Sequence, residues 1–417
     1  MPKKYVLSTL KNGIKTLIVP VNNKKVISII LKIKCGFYNE YNGINNYTHL
    51  LEHLIASFLN KEQCSNEEVK KHINYKVLKT NAYTEDNEVC FWIECYYNDI
   101  KLFINLMGRS LFNLCITSDN LDMAKKNVIK ELQQHENNQL ENDINTYLFK
   151  RKKVSFKYGI YDVNNVTIKS MESFYKKILT KDIIIGITCD KQYVETINKY
   201  LITSFNKHID VVKDDLPITF KAIYPKENLI IKHYKPIKSV EINIIIPLKI
   251  ILNSKEYYAI RICLKYLFNF ENGEMFRILR NDKKIIYSIG FDMNIDDIDP
   301  YKSFVKIKSF CQKDSLNEFI RIFYEIFNNF TIDMEMFKTF KQHLLFEYEY
   351  NYKIGFDDYT SYYMDSILYN RKILNTNYKK KLINSIDYKD TLKILKDFKS
   401  KKHLMFLYNK NYKKQPD

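Results

Sequence analysis

Residues 49–53 read His49-Leu50-Leu51-Glu52-His53. On a helix, positions i, i+3 and i+4 share one face, so His49, Glu52 and His53 project together. Two imidazoles one turn apart suit a zinc ion, and the carboxylate between them suits proton transfer from metal-bound water. A chain of this length also produces such a run by chance, as a helix with two histidines and a solvated glutamate, so the motif needs context. A zinc site on two helical histidines requires a third protein ligand and an open position for water. Glu131, in Asn127-Val128-Ile129-Lys130-Glu131, is the first candidate. Spacing alone leaves Glu136 and Glu141 of the same helical run open beside it.

Outward from the motif, Tyr5-Val6-Leu7 and residues 14–19 flank Lys11-Asn12-Gly13. Asn-Gly between apolar runs predicts a hairpin. Residues 26–35 (VISIILKIKC) predict a mostly buried strand, after which Gly36 and a turn at Asn42-Gly43 lead into the motif helix, 46–59. Residues 77–83 and 89–97 predict a second strand pair, the latter rich in aromatic and β-branched side chains. A long helix follows from about 118, running past Glu131, then a helix at 167–178 and an apolar strand at 182–188.

The second half repeats this order. Residues 229–233 and 240–246 echo the first strands, 255–270 form a helix where the motif helix stands, and 285–289 and 304–310 echo the second pair. Phe330-Thr331-Ile332-Asp333 opens a long helical run like the one begun at Ile116-Thr117-Ser118-Asp119, and a strand at 403–407 ends the pattern. The order predicts an internal duplication, with a zinc-binding domain at 1–210, a second domain at 211–417 and a junction in the polar stretch 206–215. The second half lacks H-x-x-E-H, and His343, near the level of Glu131 in the repeat, reads as structural.

At 417 residues, 46% hydrophobic and 27% charged, the chain reads as a globular protein of two or more domains. Its apolar runs, such as Ile244-Ile245-Ile246 before Pro247, fall short of a membrane span, and Met1-Pro2-Lys3-Lys4 opens no signal or transit segment. The eight cysteines form no C-x-x-C pair and read as reduced thiols of a reducing compartment. A cytoplasmic location (or a virion, for a viral protein) is expected, with no secretion and no membrane partner. The net charge of +18 accompanies a wealth of Asn, Ile and Tyr, all residues with A/T-rich codons. No nucleic-acid-binding signature accompanies it, so nucleic acid is not expected as the dedicated partner.

With these residues in place, nearly the whole chain resembles the pitrilysin/insulinase family of zinc metallopeptidases, which includes the mitochondrial processing peptidases. The reversed motif order is the inverzincin signature. The resemblance runs through Leu10-Lys11-Asn12-Gly13-Ile14-Lys15, Gly36, Glu40 and Gly43 to the motif. It continues through Asn81-Ala82-Tyr83-Thr84, Val128-Ile129-Lys130-Glu131, Met275-Phe276-Arg277-Ile278-Leu279-Arg280 and Tyr287-Ser288. Two departures stand out: Ala124 replaces a glutamate usual seven positions before the third ligand, and Ala56-Ser57-Phe58 replaces the Gly-Thr after the motif helix. HLLEHLIASF at 49–58, and Asn81-Ala82 leading to Phe91-Trp92, are more similar to the poxvirus virion-core metallopeptidases, which with the composition points to a large DNA virus.

The resemblance implies an α+β fold of two duplicated α/β domains, each a mainly antiparallel sheet covered by helices, together half of a clamshell. It implies one zinc ion per chain held by His49, His53 and Glu131, with Glu52 as general base. Asn81 and Ala82, on an exposed strand edge, are expected to pair with the substrate main chain. Arg280 and Tyr287 are expected to hold substrate carbonyls. Half-length members close a chamber as two chains, so a homodimer or a dimer with a related chain is expected, with Arg280 and Tyr287 facing the partner's zinc. The expected activity is hydrolysis of extended peptides or precursor proteins inside that chamber. A catalytically weak or inactive binding subunit is the competing reading: Ala124 favours it, while intact His49, Glu52, His53, Arg280 and Tyr287 oppose it.

Overall fold

The computed structural model describes residues 5–40, 44–58, 75–135, 139–149, 156–207, 224–233, 238–269, 273–296, 300–354, 357–374 and 376–409. The expected turn at Asn42-Gly43, the end of the motif helix at Leu59 and most of the expected junction lie outside them. The strands are β1 (Val6–Thr9), β2 (Lys15–Val21), β3 (Val26–Ile33), β4 (Val77–Thr84), β5 (Val89–Tyr96) and β6 (Ile183–Asp190). They continue as β7 (Leu229–His233), β8 (Ser239–Pro247), β9 (Ile286–Asn294), β10 (Phe304–Gln312) and β11 (Leu404–Asn409). The helices are α1 (Tyr47–Ala56), α2 (Ile100–Phe112), α3 (Ser118–His135), α4 (Gln139–Leu148), α5 (Phe156–Asn165), α6 (Ile168–Leu179) and α7 (Val194–Phe205). After these come α8 (Lys255–Phe268), α9 (Glu274–Phe276), α10 (Leu316–Asn329), α11 (Met334–Ile354), α12 (Asp357–Leu368), α13 (Thr376–Asn384) and α14 (Tyr388–Ser400).

Two compact units result. The first combines residues 1–137, 154–219 and 354–373, and the second combines 138–153, 220–353 and 374–417. In the first, the strand order is β1-β2-β6-β3-β5-β4. Only β2 and β6 run parallel. Gly13, at φ +87°, supplies the left-handed residue that the β1–β2 turn requires. Alternation along β3 sends Ile27, Ile29, Leu31 and Ile33 into the main core, shared with α1 and α2. Ile30 faces the other way, into a smaller core with Leu17, Val19, Ile184, Tyr363, Met364 and Leu368.

That smaller core lies under α12, which comes from the second half of the chain. Its approach needs Gly186 on β6: a Cβ there would stand 2.2 Å from Met364 Sδ and 2.7 Å from Thr360 Cγ2. The Thr188 and Thr360 hydroxyls hydrogen-bond at 2.5 Å beside it. Lys32 is buried on the same face, 2.7 Å from Glu88 Oε1 and 2.5 Å from Asp365 Oδ1. Burial opposes its charge, but Asp365 and Glu88 together hold its pKa above the ordinary lysine range.

The second unit has strand order β7-β11-β8-β10-β9, with β7 and β11 parallel. This is the pattern β2-β6-β3-β5-β4 over again, so the duplicated α+β architecture expected from the sequence is what the chain adopts. Ile242, Ile244 and Ile246 of β8 enter its main core, while Ile245 joins Leu404 and Phe406 under Ile144 and Leu148 of α4. Asp143 on α4 accepts from the Tyr408 hydroxyl at 2.6 Å and pairs with His233 at 3.0 Å. Each half of the chain thus lends one helix to the other half's sheet. Linear boundaries at 210 and 211 say nothing of that exchange.

Six cysteines (35, 90, 95, 189, 263 and 311) are buried free thiols, but Cys115 is disulfide-bonded. The reading of every cysteine as a reduced thiol fails there, because pairing depends on proximity in space, which local spacing does not report. No helix among the described residues is long and apolar enough to cross a membrane.

Replacing Lys32 by Met keeps the packing but leaves Glu88 and Asp365 without their cation. Removing one partner of a buried ion pair costs about 3 kcal/mol or more. Urea unfolding of Lys32→Met should show a loss of that order, and a loss below about 1 kcal/mol would show that the two acids are satisfied without it.

Candidate metal centre

The motif helix α1 starts in an unusual way. Asn46 is left-handed, at φ 66°, and its side chain makes no capping bond. Glu40 takes over that role: its Oε2 accepts from the Asn46 N–H at 2.8 Å and its Oε1 from the Thr48 N–H at 2.9 Å. A carboxylate there satisfies two amides and complements the helix dipole. Glu40 is itself placed by the turn at Phe37–Asn39, where Phe37 and Tyr38 donate to the carbonyls of Glu85 and Asp86. Gly36 permits this contact, since a Cβ would lie 2.1 Å from Glu85 O. The β4–β5 turn and the start of α1 are therefore built as one piece. Tyr47 adds a bond to Ser170 of α6, and Asn45 bonds Asp162 of α5.

Leu50, Leu51, Leu54 and Ile55 anchor α1 in the core, which leaves His49 and His53 half-buried on its remaining face. On α3, Leu121, Ala124 and Val128 form a buried stripe at helical spacing, and Glu131 is its next position. Glu131 therefore meets α1. The two imidazole Nε2 atoms are 3.3 Å apart, and Glu131 lies 3.1 Å from His49 Nε2 and 3.5 Å from His53 Nε2. These three residues are a group able to offer ligand atoms to one metal ion. Tetrahedral zinc, with bonds of roughly 2.1 Å, sets its ligand atoms about 3.4 Å apart; the donor types fit it and the two imidazole nitrogens stand at that spacing.

Glu52 is buried beside the cluster, its Oε2 3.9 Å from His49 Nε2 and hydrogen-bonded to the Thr84 hydroxyl at 3.1 Å. Burial pushes its carboxyl up to about 7; the bond from Thr84 works against that rise and the charge of Glu131 adds to it. Of the alternatives to Glu131, Glu136 lies outside the described residues and Glu141 belongs to α4, in the second unit.

Asn81 and Ala82 lie on β4, the last strand of the first sheet. Asn81 is exposed and its Oδ1 accepts from the Ala82 N–H at 3.0 Å, while the Ala82 side chain packs against the main core. In the second unit, Arg280 occupies a π-helical turn at Arg277–Asp282 and donates to the Ile286 carbonyl at 3.1 Å. Its guanidinium lies 5.1 Å from the ring of Tyr287, which is exposed on the edge strand β9. Glu40 and Thr84 had no part in the site as read from sequence. The former lies across a turn from its target and the latter on a different element. The level of Glu131 in the repeat also needs correction. Glu131 stands fourteen residues after the capping Thr117, and the residue fourteen after the capping Asp333 is Glu347, a turn beyond His343.

Residues 16–157 match the family Insulinase (Peptidase family M16). No curated protein matches the chain in sequence. The fold is similar to that of a protease from Helicobacter pylori, at 17% identity and a TM-score of 0.76, over 97% of this chain and 99% of that one. It is similar to the periplasmic protease PqqL from Escherichia coli at 12% identity and a TM-score of 0.75. There 99% of this chain covers 48% of the other, so this chain spans about half its length. A peptidase M16 inactive domain from Pseudomonas fluorescens aligns at 10% identity and a TM-score of 0.74, over 99% and 100% of the two chains. At such identities the likeness establishes the fold. Together with the match over residues 16–157, it bears out the family read from the sequence.

Truncating Glu40 to Ala should lower stability by about 1 kcal/mol, the usual worth of a lost cap with its charge. Urea unfolding measures this directly. A change within about 0.3 kcal/mol would mean that the Asn46 and Thr48 amides find other acceptors.

Proposed function

We propose that this pitrilysin/insulinase-family chain is a zinc-dependent endopeptidase acting on extended peptides or unfolded precursor proteins. The observation that carries the reading is the convergence of His49, His53 and Glu131 with buried Glu52 beside them. Zinc held by those three residues would supply Lewis acidity to a water molecule and to the scissile carbonyl. Glu52 takes a proton from that water as its oxygen attacks the carbonyl carbon, and returns it to the leaving nitrogen as the C–N bond breaks. Asn81 and Ala82 hold the substrate main chain along the edge of β4, a mode that selects extended backbone over particular side chains.

Arg280 and Tyr287 supply donors to substrate carbonyls, in the site of a second copy of the chain. What supports this is the resemblance to half-length family members and the proximity of the two side chains to one another. An inactive binding subunit is the second reading. Its support is Ala124, an apolar member of the α3 stripe where the family usually has a carboxylate, and the existence of an inactive domain among proteins of this fold.

Purified protein should hold about one zinc per chain, falling sharply in His49→Ala. Glu52→Gln should keep the metal and lose roughly a thousandfold in hydrolysis of a peptide library. Equal turnover by wild type and Glu52→Gln would remove Glu52 as the base, and a metal-loaded wild type that cleaves nothing would favour the binding subunit. The shared site has its own check, in which Glu52→Gln chains are mixed with Arg280→Ala chains. One complete site per mixed dimer should restore part of the activity that each variant lacks alone. No recovery on mixing would place Arg280 in the service of its own chain or of none.

A further inference from the structure

Thr84 closes β4 at a point where three elements meet. Its backbone pairs with Val89 across the hairpin, and the next residue, Glu85, both closes the turn onto Glu88 and accepts from Phe37. Side chains alternate along β4, so Ala82 and Thr84 share the face that packs towards α1, whereas Tyr83 is turned to Cys90 on the opposite face. A β-branched side chain on a strand has few χ1 choices, which ties the direction of the Thr84 hydroxyl to the backbone. That hydroxyl donates to Glu52 Oε2 at 3.1 Å, and among the described residues it is the one side chain hydrogen-bonded to Glu52. The other close group, His49 Nε2, stands at 3.9 Å from the same oxygen, beyond hydrogen-bond reach.

We propose that Thr84 is a positioning residue for Glu52, fixing the carboxylate in the orientation from which it exchanges protons with the water and the leaving nitrogen. The inference rests on the endopeptidase reading above. A glutamate side chain has three torsions to lose, and a single hydrogen bond from a rigid strand removes that freedom at the carboxylate. The same strand carries Asn81 and Ala82 three and two residues earlier. Substrate main chain docked along β4 and the base that acts on it are thereby referenced to one piece of backbone, itself joined to the start of α1 through Gly36 and Glu40.

The test compares Thr84→Val, Thr84→Ser, Glu52→Gln and wild type in zinc content, thermal unfolding and steady-state peptide hydrolysis. Valine is close to isosteric but has no hydroxyl, so kcat should fall about tenfold to a hundredfold, as for other residues that orient a reacting group. KM should stay within about twofold, and zinc content and unfolding temperature should match wild type. Serine should recover kcat to within about threefold. A folded, zinc-loaded Thr84→Val enzyme with wild-type kcat would overturn the inference. A raised KM at unchanged kcat would also overturn it, assigning the hydroxyl to substrate instead. So would loss of zinc in Thr84→Val, which would make the residue a support of the metal ligands. Full activity in Glu52→Gln would instead strike the endopeptidase mechanism itself, and the two failures are distinct in the same data set.

Discussion

The first unit is organised around bringing one carboxylate on α3 against two imidazoles on α1. His49 Nε2 and His53 Nε2 stand 3.3 Å apart, with one Glu131 oxygen 3.1 Å from the first and the other 3.5 Å from the second, a donor set able to take one cation. The apolar stripe of Leu121, Ala124 and Val128 seats α3, and Leu50, Leu51, Leu54 and Ile55 seat α1. The start of α1 is then clamped by Glu40, whose own position is dictated by the β4–β5 turn. The same turn fixes Thr84, so the start of the helix that carries His49 and His53 and the bond to Glu52 are referenced to one short stretch of sheet.

Much of this was legible from residues alone. Asn12-Gly13 announced the first hairpin, alternation along β3 marked a buried strand, and the order of strand and helix patterns exposed the duplication now seen in two sheets of matching topology. The i, i+4 histidines also carried their meaning locally, because one helical turn sets their separation. Glu131 was different. Its distance in sequence from the motif offered no reason to prefer it over Glu136 or Glu141, and the preference came from the family resemblance. The physical reason lies in the helix itself: Glu131 continues the buried stripe of Leu121, Ala124 and Val128.

Other features had no local signature. An amphipathic helix states that one face is apolar but not which sheet will cover it, so the exchange of α4 and α12 between halves was invisible. Lys32 looked like a polar interruption of a buried strand. Its reason for being there, Asp365, is 333 residues away. Glu40 is six residues from the amide it caps, across a turn, and a capping rule that looks only at the helix's first residues passes over it. Tertiary partners of this kind are selected by the folded backbone, and no period of 2 or 3.6 encodes them.

The second unit shows what the same framework does without the histidines. Counted from Asn46 and Ser254, the residues just before each helix, His49 and His53 correspond to Tyr257 and Arg261, as Glu131 corresponds to Glu347. Arg261 donates to the Tyr257 hydroxyl at 2.9 Å and to Glu347 at 3.3 Å, and Lys265 bonds the same carboxylate. A glutamate at this level of the long helix thus faces side chains of the short one in both units. In the second the charge is covalent and permanent, built from guanidinium and ammonium. In the first the residues facing Glu131 are imidazoles, which together with it form a group able to hold a metal ion. The duplication carries one carboxylate position into two outcomes, and the identity of two side chains on the facing helix decides between a structural ion pair and a group able to hold a metal.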